Sequence, residues 1–204
     1  LNGDWKAEAD PLEALGRGDP KPFEAFVSRE TSTFLAFFRR LGAQPSEAED
    51  LTQDLALKLY RQAQTYRAEG RFAAYAFRVA RNLWIDRVRK VNRQPVSTGM
   101  DREDVPSLLS TLRDERETDP SSALELQEEA GRLLFALGKL PEGQRLVFEL
   151  GVMQELPYQE IGSILDVPVG TVKSRMFHAV RSLRAVLEGP ESGDSQGLDG
   201  GNPR

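Results

Sequence analysis

The sequence predicts an all-α fold: two small helical domains joined by a flexible acidic linker, the second containing a helix-turn-helix. Three observations carry that expectation. Apolar residues recur at spacings of three and four over most of the chain, and no stretch alternates convincingly as a half-buried strand would. Two stretches, 94–122 and 189–204, lack periodicity and are rich in Pro, Gly, Ser and acids. The length, 204 residues at 39% hydrophobic, suits one medium domain or two small ones. The expected organisation is an acidic N-terminal extension over 1–20, a first domain over 21–93, the linker over 94–122, a second domain over 123–188 and a disordered tail over 189–204.

Each element has its own signal. Phe23, Phe26 and Val27 open a helical pattern that Phe34, Phe37, Phe38 and Leu41 resume, and Gly42 stops it. The next helix begins after Pro45, with Ser46 as N-cap and Glu47, Glu49 and Asp50 in its first turns, where negative charge suits the helix dipole. It carries Leu51, Leu55, Leu57 and Leu59. A third helix runs from about Phe72 to Val91, with Phe72, Val79 and Leu83 on its interior stripe. The linker holds at most a turn around Leu108, Leu109 and Leu112. Beyond it, helices are expected at about 123–138, 142–153, 157–165 and 169–187.

Composition excludes several kinds of chemistry. The chain has no cysteine and a single histidine, His178, so disulfide frameworks, thiolate or multi-histidine metal sites and cysteine nucleophiles are absent. No glycine loop, metal cluster or nucleophile constellation gives its carboxylates a catalytic task, so neither enzyme activity nor a cofactor is expected. No run approaches 18 apolar residues, and the opening residues do not resemble a secretory signal. No membrane insertion is expected, and a reducing cytoplasm is the expected location.

The net charge of −5 conceals opposite halves. Residues 21–93 carry +6, whereas 1–20, 94–127 and 188–204 carry −3, −5 and −3, and 128–187 are neutral. Within that neutral segment, 169–187 holds Lys173, Arg175, Arg181, Arg184 and His178 with no acid. Two separate basic faces suggest two nucleic-acid contacts.

Residues 157–187 have helix-turn-helix spacing: a short helix closing on Leu165, a three-residue turn, then a basic helix starting near Pro168. Ile161, Ile164 and Leu165 are placed to pack on Val172, Met176 and Leu183, and Gly162 allows close approach. Gly170, Thr171, Lys173, Ser174, Arg175, Phe177, His178 and Arg181 then lie where a recognition helix meets bases and phosphates.

The stretch Val167-Pro168-Val169-Gly170-Thr171-Val172-Lys173-Ser174-Arg175 resembles the domain-four signature of bacterial extracytoplasmic-function sigma factors, as does the preceding Leu137-Gly138-Lys139-Leu140-Pro141-Glu142-Gly143-Gln144-Arg145. Ala48-Glu49-Asp50-Leu51-Thr52-Gln53-Asp54 is similar to that family's polymerase-clamp-binding helix, and 66–72 with 78–87 to its promoter-melting region. Pro157, Tyr75-Ala76, His178 and Val180 depart from common family residues. The resemblance implies a transcription initiation factor that binds core RNA polymerase, recognises promoter DNA as duplex and as unpaired non-template strand, and is restrained by an anti-sigma factor. On that basis Asp50, Leu51, Gln53 and Asp54 would bind core polymerase, and Tyr75, Arg78, Arg81, Asn82 and Arg89 the downstream promoter element. The residues Gly170 to Arg181 named above would read the upstream element.

From the residues themselves, aromatics Phe72, Tyr75, Phe77 and Trp84 interleave with arginines on the third helix, a composition suited to stacking unpaired bases beside their backbone. Asp86 is expected to anchor Arg89 or a neighbouring helix rather than touch DNA. The family resemblance implies that the linker acids Asp101, Glu103, Asp104, Asp114, Glu115 and Glu117 occupy a basic channel of polymerase before RNA does; from the residues alone the linker is a solvated spacer. The alternative function is an autonomous helix-turn-helix regulator that binds DNA as a dimer on repeated half-sites.

Overall fold

The computed structural model describes residues 10–68, 71–93 and 131–187, and every regular element among them is a helix. In chain order these are α1 (Pro11–Gly16), α2 (Lys21–Leu41), α3 (Pro45–Gln62), α4 (Phe72–Arg93), α5 (131–139), α6 (Glu142–Phe148), a π turn (Glu149–Met153), α7 (Tyr158–Leu165) and α8 (Val169–Leu187). The expected linker, its turn and the tail lie outside the described residues, as does the start of the helix expected at 123–138.

Local chemistry sets the ends. Asp10 caps α1 by accepting the N–H groups of Leu12 and Glu13 at 3.0 and 3.2 Å, with Pro11 in the first turn. This helix lies within the stretch expected to be an extension, and Leu12 is fully buried. Gly42 ends α2 with φ +110°, a left-handed conformation that costs glycine nothing. Helix α3 does not start from Ser46. Pro45 occupies its first position, where no N–H is lost, and the cap falls on Gln44, whose N–H donates to Glu47 at 3.2 Å.

The first unit packs α2, α3 and α4 around aromatic rings. Phe26 meets Phe72 at 4.8 Å between centroids, and Phe77 meets Phe34 and Phe37 at 5.0 and 5.4 Å. Arg87 of α4 pairs with Glu47 of α3, so the ion pair to a neighbouring helix is made by the residue after Asp86. In the second unit the helix expected over 142–153 is interrupted: α6 ends at Phe148 and a π turn follows. The turn presses its backbone on α8, since a methyl group at Gly151 would lie 2.6 Å from Met176 Cε. The two units pack together, α4 on α7 and α2 on α6, and their buried apolar side chains form one contiguous cluster.

Candidate nucleic-acid interface

The helix-turn-helix is held from inside. Ile161, Ile164, Leu165, Val172, Met176 and Leu183 are all buried, which fixes the angle between α7 and α8. Asp166 ends α7 in the left-handed region, φ +55°, and the Val167 N–H returns to the Gly162 carbonyl at 3.0 Å. Gly162 is needed by that turn rather than by α8 itself, because an added Cβ would sit 2.9 Å from the Val167 carbonyl oxygen. Gly162→Ala is therefore expected to destabilise the second unit by about 1–3 kcal/mol through overpacking, read as a lower midpoint in thermal unfolding.

The outer face of α8 is open and cationic. Lys173, Ser174, His178 and Arg181 are exposed, Thr171 is partly so, and Phe177 is 62% exposed. Nothing stands within 4 Å of where a Cβ would sit on Gly170, so a phosphate can approach the backbone at the positive end of this helix. Arg175 differs from its neighbours. Its guanidinium lies back on α6, 3.2 Å from the position a Cβ would take on Gly143, and it is half-buried.

On α4 the structure divides the expected residues. Tyr75, Arg78, Asn82 and Arg89 fall within about 60° of one another around the helix axis at 100° per residue, and the last three are exposed. Arg81 lies to one side, with Nε buried without a hydrogen-bond partner and Nη1 donating to Asn82 at 3.2 Å. The aromatic expectation needs correction: Phe72, Phe77 and Trp84 are 2%, 0% and 8% exposed and belong to the core. They share the opposite stripe with Ala73, Ala76 and Ala80. Only Tyr75 of that set reaches the surface. Its phenol donates to Gln62 at 2.8 Å, and burial pushes its pKa up.

Beside Tyr75 the chain forms a cleft of about 500 Å³ that the sequence did not assemble. Thr65, Tyr66, Arg67, Arg71, Tyr75 and Arg78 line one side, and Glu160, Ser163 and Ile164 of α7 line the other. The Tyr66 ring lies 4.8 Å from that of Tyr75, tilted by 56°, and its hydroxyl donates to Asp10 at 2.7 Å. Burial and the Asp10 carboxylate together hold that phenol protonated far above its ordinary range. Thus α1 fixes one wall of the cleft. Arg67 and Arg71 lie between periodic segments, so helical patterning does not reveal their convergence.

On α3, Asp50, Gln53 and Asp54 are exposed on adjacent turns. Leu51 is 6% exposed and packs in the core, so it supports that face from behind and does not present a surface to a partner. The exposed apolar residues of this helix are Leu57 and Tyr60, at 52% and 58%.

Comparison with known proteins agrees with this division. Residues 26–94 match Sigma-70 region 2, and residues 130–183 match Sigma-70, region 4. The chain belongs to the sigma-70 family, in its extracytoplasmic-function group. The ECF RNA polymerase sigma-E factor of Escherichia coli is 29% identical over 173 residues, 84% of this chain and 90% of that protein. The RNA polymerase sigma-H factor of Pseudomonas aeruginosa is 25% identical over 177 residues, 87% and 92% of the two chains. Two solved structures share the fold. One is the sigma factor RpoE of Bartonella quintana with the anti-sigma factor NepR: TM-score 0.62, 22% identity, covering 82% of this chain and 98% of that one. The other is CnrH with the cytosolic domain of CnrY: TM-score 0.60, 23% identity, covering 89% and 98%.

This sigma factor is thus an initiation factor that brings core RNA polymerase to promoters. Its region 2 match spans α3, α4 and the arginine-lined wall of the cleft, and its region 4 match spans the helix-turn-helix. Helix α1 lies outside both matches yet is tied to the cleft by Asp10 and Tyr66. No helix among the described residues is long and apolar enough to cross a membrane. The autonomous-regulator alternative leaves the region 2 match without a role.

Proposed function

We propose a division of labour among the three exposed faces of this sigma factor. Asp50, Gln53 and Asp54 on α3 contact core polymerase, with Leu51 holding their helix in place. Tyr75, Arg78, Asn82 and Arg89, joined by Arg67 and Arg71 of the cleft, take the unpaired non-template strand of the downstream element. Gly170, Thr171, Lys173, Ser174, Phe177, His178 and Arg181 read the upstream element as duplex. Arg175 braces α8 on α6, and Arg81 orients Asn82.

The observation that carries this reading is the cleft, where two tyrosines and three arginines converge beside the exposed face of α4. Aromatic rings stack on any base, and guanidinium groups pair with the phosphates between them. The boundaries 21–93 and 123–188 for the two domains, a cytoplasmic location and the absence of enzymatic activity belong to the same proposal. So does restraint by an anti-sigma factor, the class of protein with which the Bartonella sigma factor was solved.

Lys173→Ala separates reading from bracing. In transcription by reconstituted holoenzyme it is expected to weaken upstream-element use by about 1–3 kcal/mol if it touches a base, with altered sequence preference. A phosphate contact would instead weaken all sites alike and lower the salt slope by about one. Arg175→Ala is expected to lower the melting temperature as well, because its side chain packs on α6. Unchanged promoter use by Lys173→Ala at equal protein stability would remove α8 from the upstream contact.

A further inference from the structure

We propose that the cleft between α4 and α7 is also a site for a free nucleoside polyphosphate, with guanine the favoured base, which the chain binds in the absence of DNA. The inference goes beyond the assignment of the same cleft to unpaired strand, and rests on it only where the two ligands compete.

The cleft has two unlike walls. On the first, Arg67, Arg71 and Arg78 are exposed, and the ion pairs among the described residues are made by other arginines. Beside them stand two tyrosine rings whose hydroxyls are already engaged, Tyr66 with Asp10 at 2.7 Å and Tyr75 with Gln62 at 2.8 Å. The rings are thereby fixed, and the Arg78 guanidinium lies over that of Tyr75 at 5.9 Å. The second wall, on α7, carries acceptors. Glu160 contributes a carboxylate, and Ser163 Oγ donates its proton to the Gln159 carbonyl at 3.0 Å, which leaves its lone pairs to accept with.

This asymmetry suits a single nucleotide better than a strand confined in the same space. A strand carries a phosphate at every step, so one that entered the cleft would bring anions towards Glu160 as well as towards the arginines. A free nucleotide separates its functions: an anionic tail at one end, and a base and ribose bearing N–H and O–H donors at the other. Polyphosphate oxygens match the guanidinium forks, and the base has aromatic faces to lie against. Its donors then meet the α7 wall. A carboxylate can accept both the N1–H and the amino group of guanine, whereas adenine would set the lone pair of its own N1 against that carboxylate.

The dimensions agree. The cleft holds about 500 Å³, within the range of about 300–1,000 Å³ for small-ligand sites, and its half-open mouth gives a soluble ligand entry. Its walls are held in place before any ligand arrives. Helix α4 packs on α7, and Arg40 of α2 donates through Nε and Nη2 to both carboxylate oxygens of the buried Glu149, each at 2.7 Å. Little ordering therefore opposes binding.

Calorimetric titration of the full-length chain with GTP, ATP, guanosine and inorganic tripolyphosphate tests the site. GTP is expected to bind at one site with a micromolar dissociation constant. Each of the other three lacks a set of charge-assisted contacts and should bind about tenfold more weakly or worse. Arg71→Ala, at an exposed position, should weaken GTP about tenfold. Glu160→Gln should bring GTP down to the level of ATP and leave ATP binding unchanged, a loss of selectivity that a merely structural role would not produce. Anisotropy of a fluorescein-labelled pool of random single-stranded DNA oligomers gives the second readout, and GTP should displace them. No GTP binding up to about 1 mM, or equal affinity for GTP and tripolyphosphate, would overturn the site. Equal affinity for ATP and GTP, or a Glu160→Gln variant that still prefers GTP, would overturn the choice of guanine. Oligomers that bind yet resist displacement by GTP would overturn the competition. Failure of the strand assignment looks different: the chain would bind GTP and no oligomer.

Discussion

Holoenzyme carrying Tyr75→Ala together with Arg78→Ala is expected to open promoter DNA about 100-fold less well while still engaging the upstream element. The ring of Tyr75 offers a stacking surface worth about 1–3 kcal/mol per base. A charge-assisted hydrogen bond from Arg78 to phosphate adds about 1.5–3 kcal/mol. The lower ends of these ranges together come to about 2.5 kcal/mol, close to two orders of magnitude. Tyr75→Phe is the control: it keeps the ring, gives up the hydroxyl bond to Gln62, and should retain most opening. Permanganate reactivity of unpaired thymines reads the effect. Equal reactivity in the double variant and the unaltered protein would take this face of α4 out of strand capture.

The second large effect concerns stability. Phe77→Ala should cost about 3–5 kcal/mol, because its fully buried ring touches Phe34 and Phe37 and links α4 to α2. Urea denaturation should show a lower midpoint, with the loss confined to folding. At temperatures where the variant remains folded, promoter opening should be near normal, since Phe77 points away from the Tyr75 face. A variant of normal stability that failed to open DNA would place Phe77 on the strand after all.

That contrast shows what was legible in the residues. Helical periodicity located α2, α4, α7 and α8 closely, because each presents a long apolar stripe to a neighbour. The aromatic-and-basic composition of α4 suggested nucleic acid, but composition does not say which face a ring occupies. Phe77 and Trp84 lie seven residues apart, with Ala73 and Ala80 on the same side, and this spacing marks the core stripe. Tyr75, Arg78 and Asn82 form the other. Leu51 was assigned to the polymerase contact through its place in a family motif, and its own position on the apolar side of α3 sets it inside.

Other features required three dimensions. Helix α1 is six residues long, too short to show a period, and its role depends on Asp10 meeting Tyr66 across 56 positions. The π turn after Phe148 replaces helix without altering the apolar pattern, so nothing in the spacing betrays it. Arg40 and Glu149 sit on separate units, where an arginine and a glutamate read as ordinary surface charges until packing buries them. The cleft combines a connecting segment, the start of α4 and one face of α7, three pieces that no local window contains.

The central claim, that this chain acts as the promoter-specific subunit of polymerase, is tested most directly by titrating promoter duplex with the protein alone and with core RNA polymerase added. Permanganate footprinting reports strand opening in the same samples. The protein alone should bind the duplex weakly and open none of it, since one helix-turn-helix neutralises few phosphates and affinity depends steeply on their number. With core polymerase present, binding should tighten and thymines in the downstream element should become reactive. Nanomolar binding by the protein alone as a dimer on a palindrome, with no opening when polymerase is added, would contradict the account.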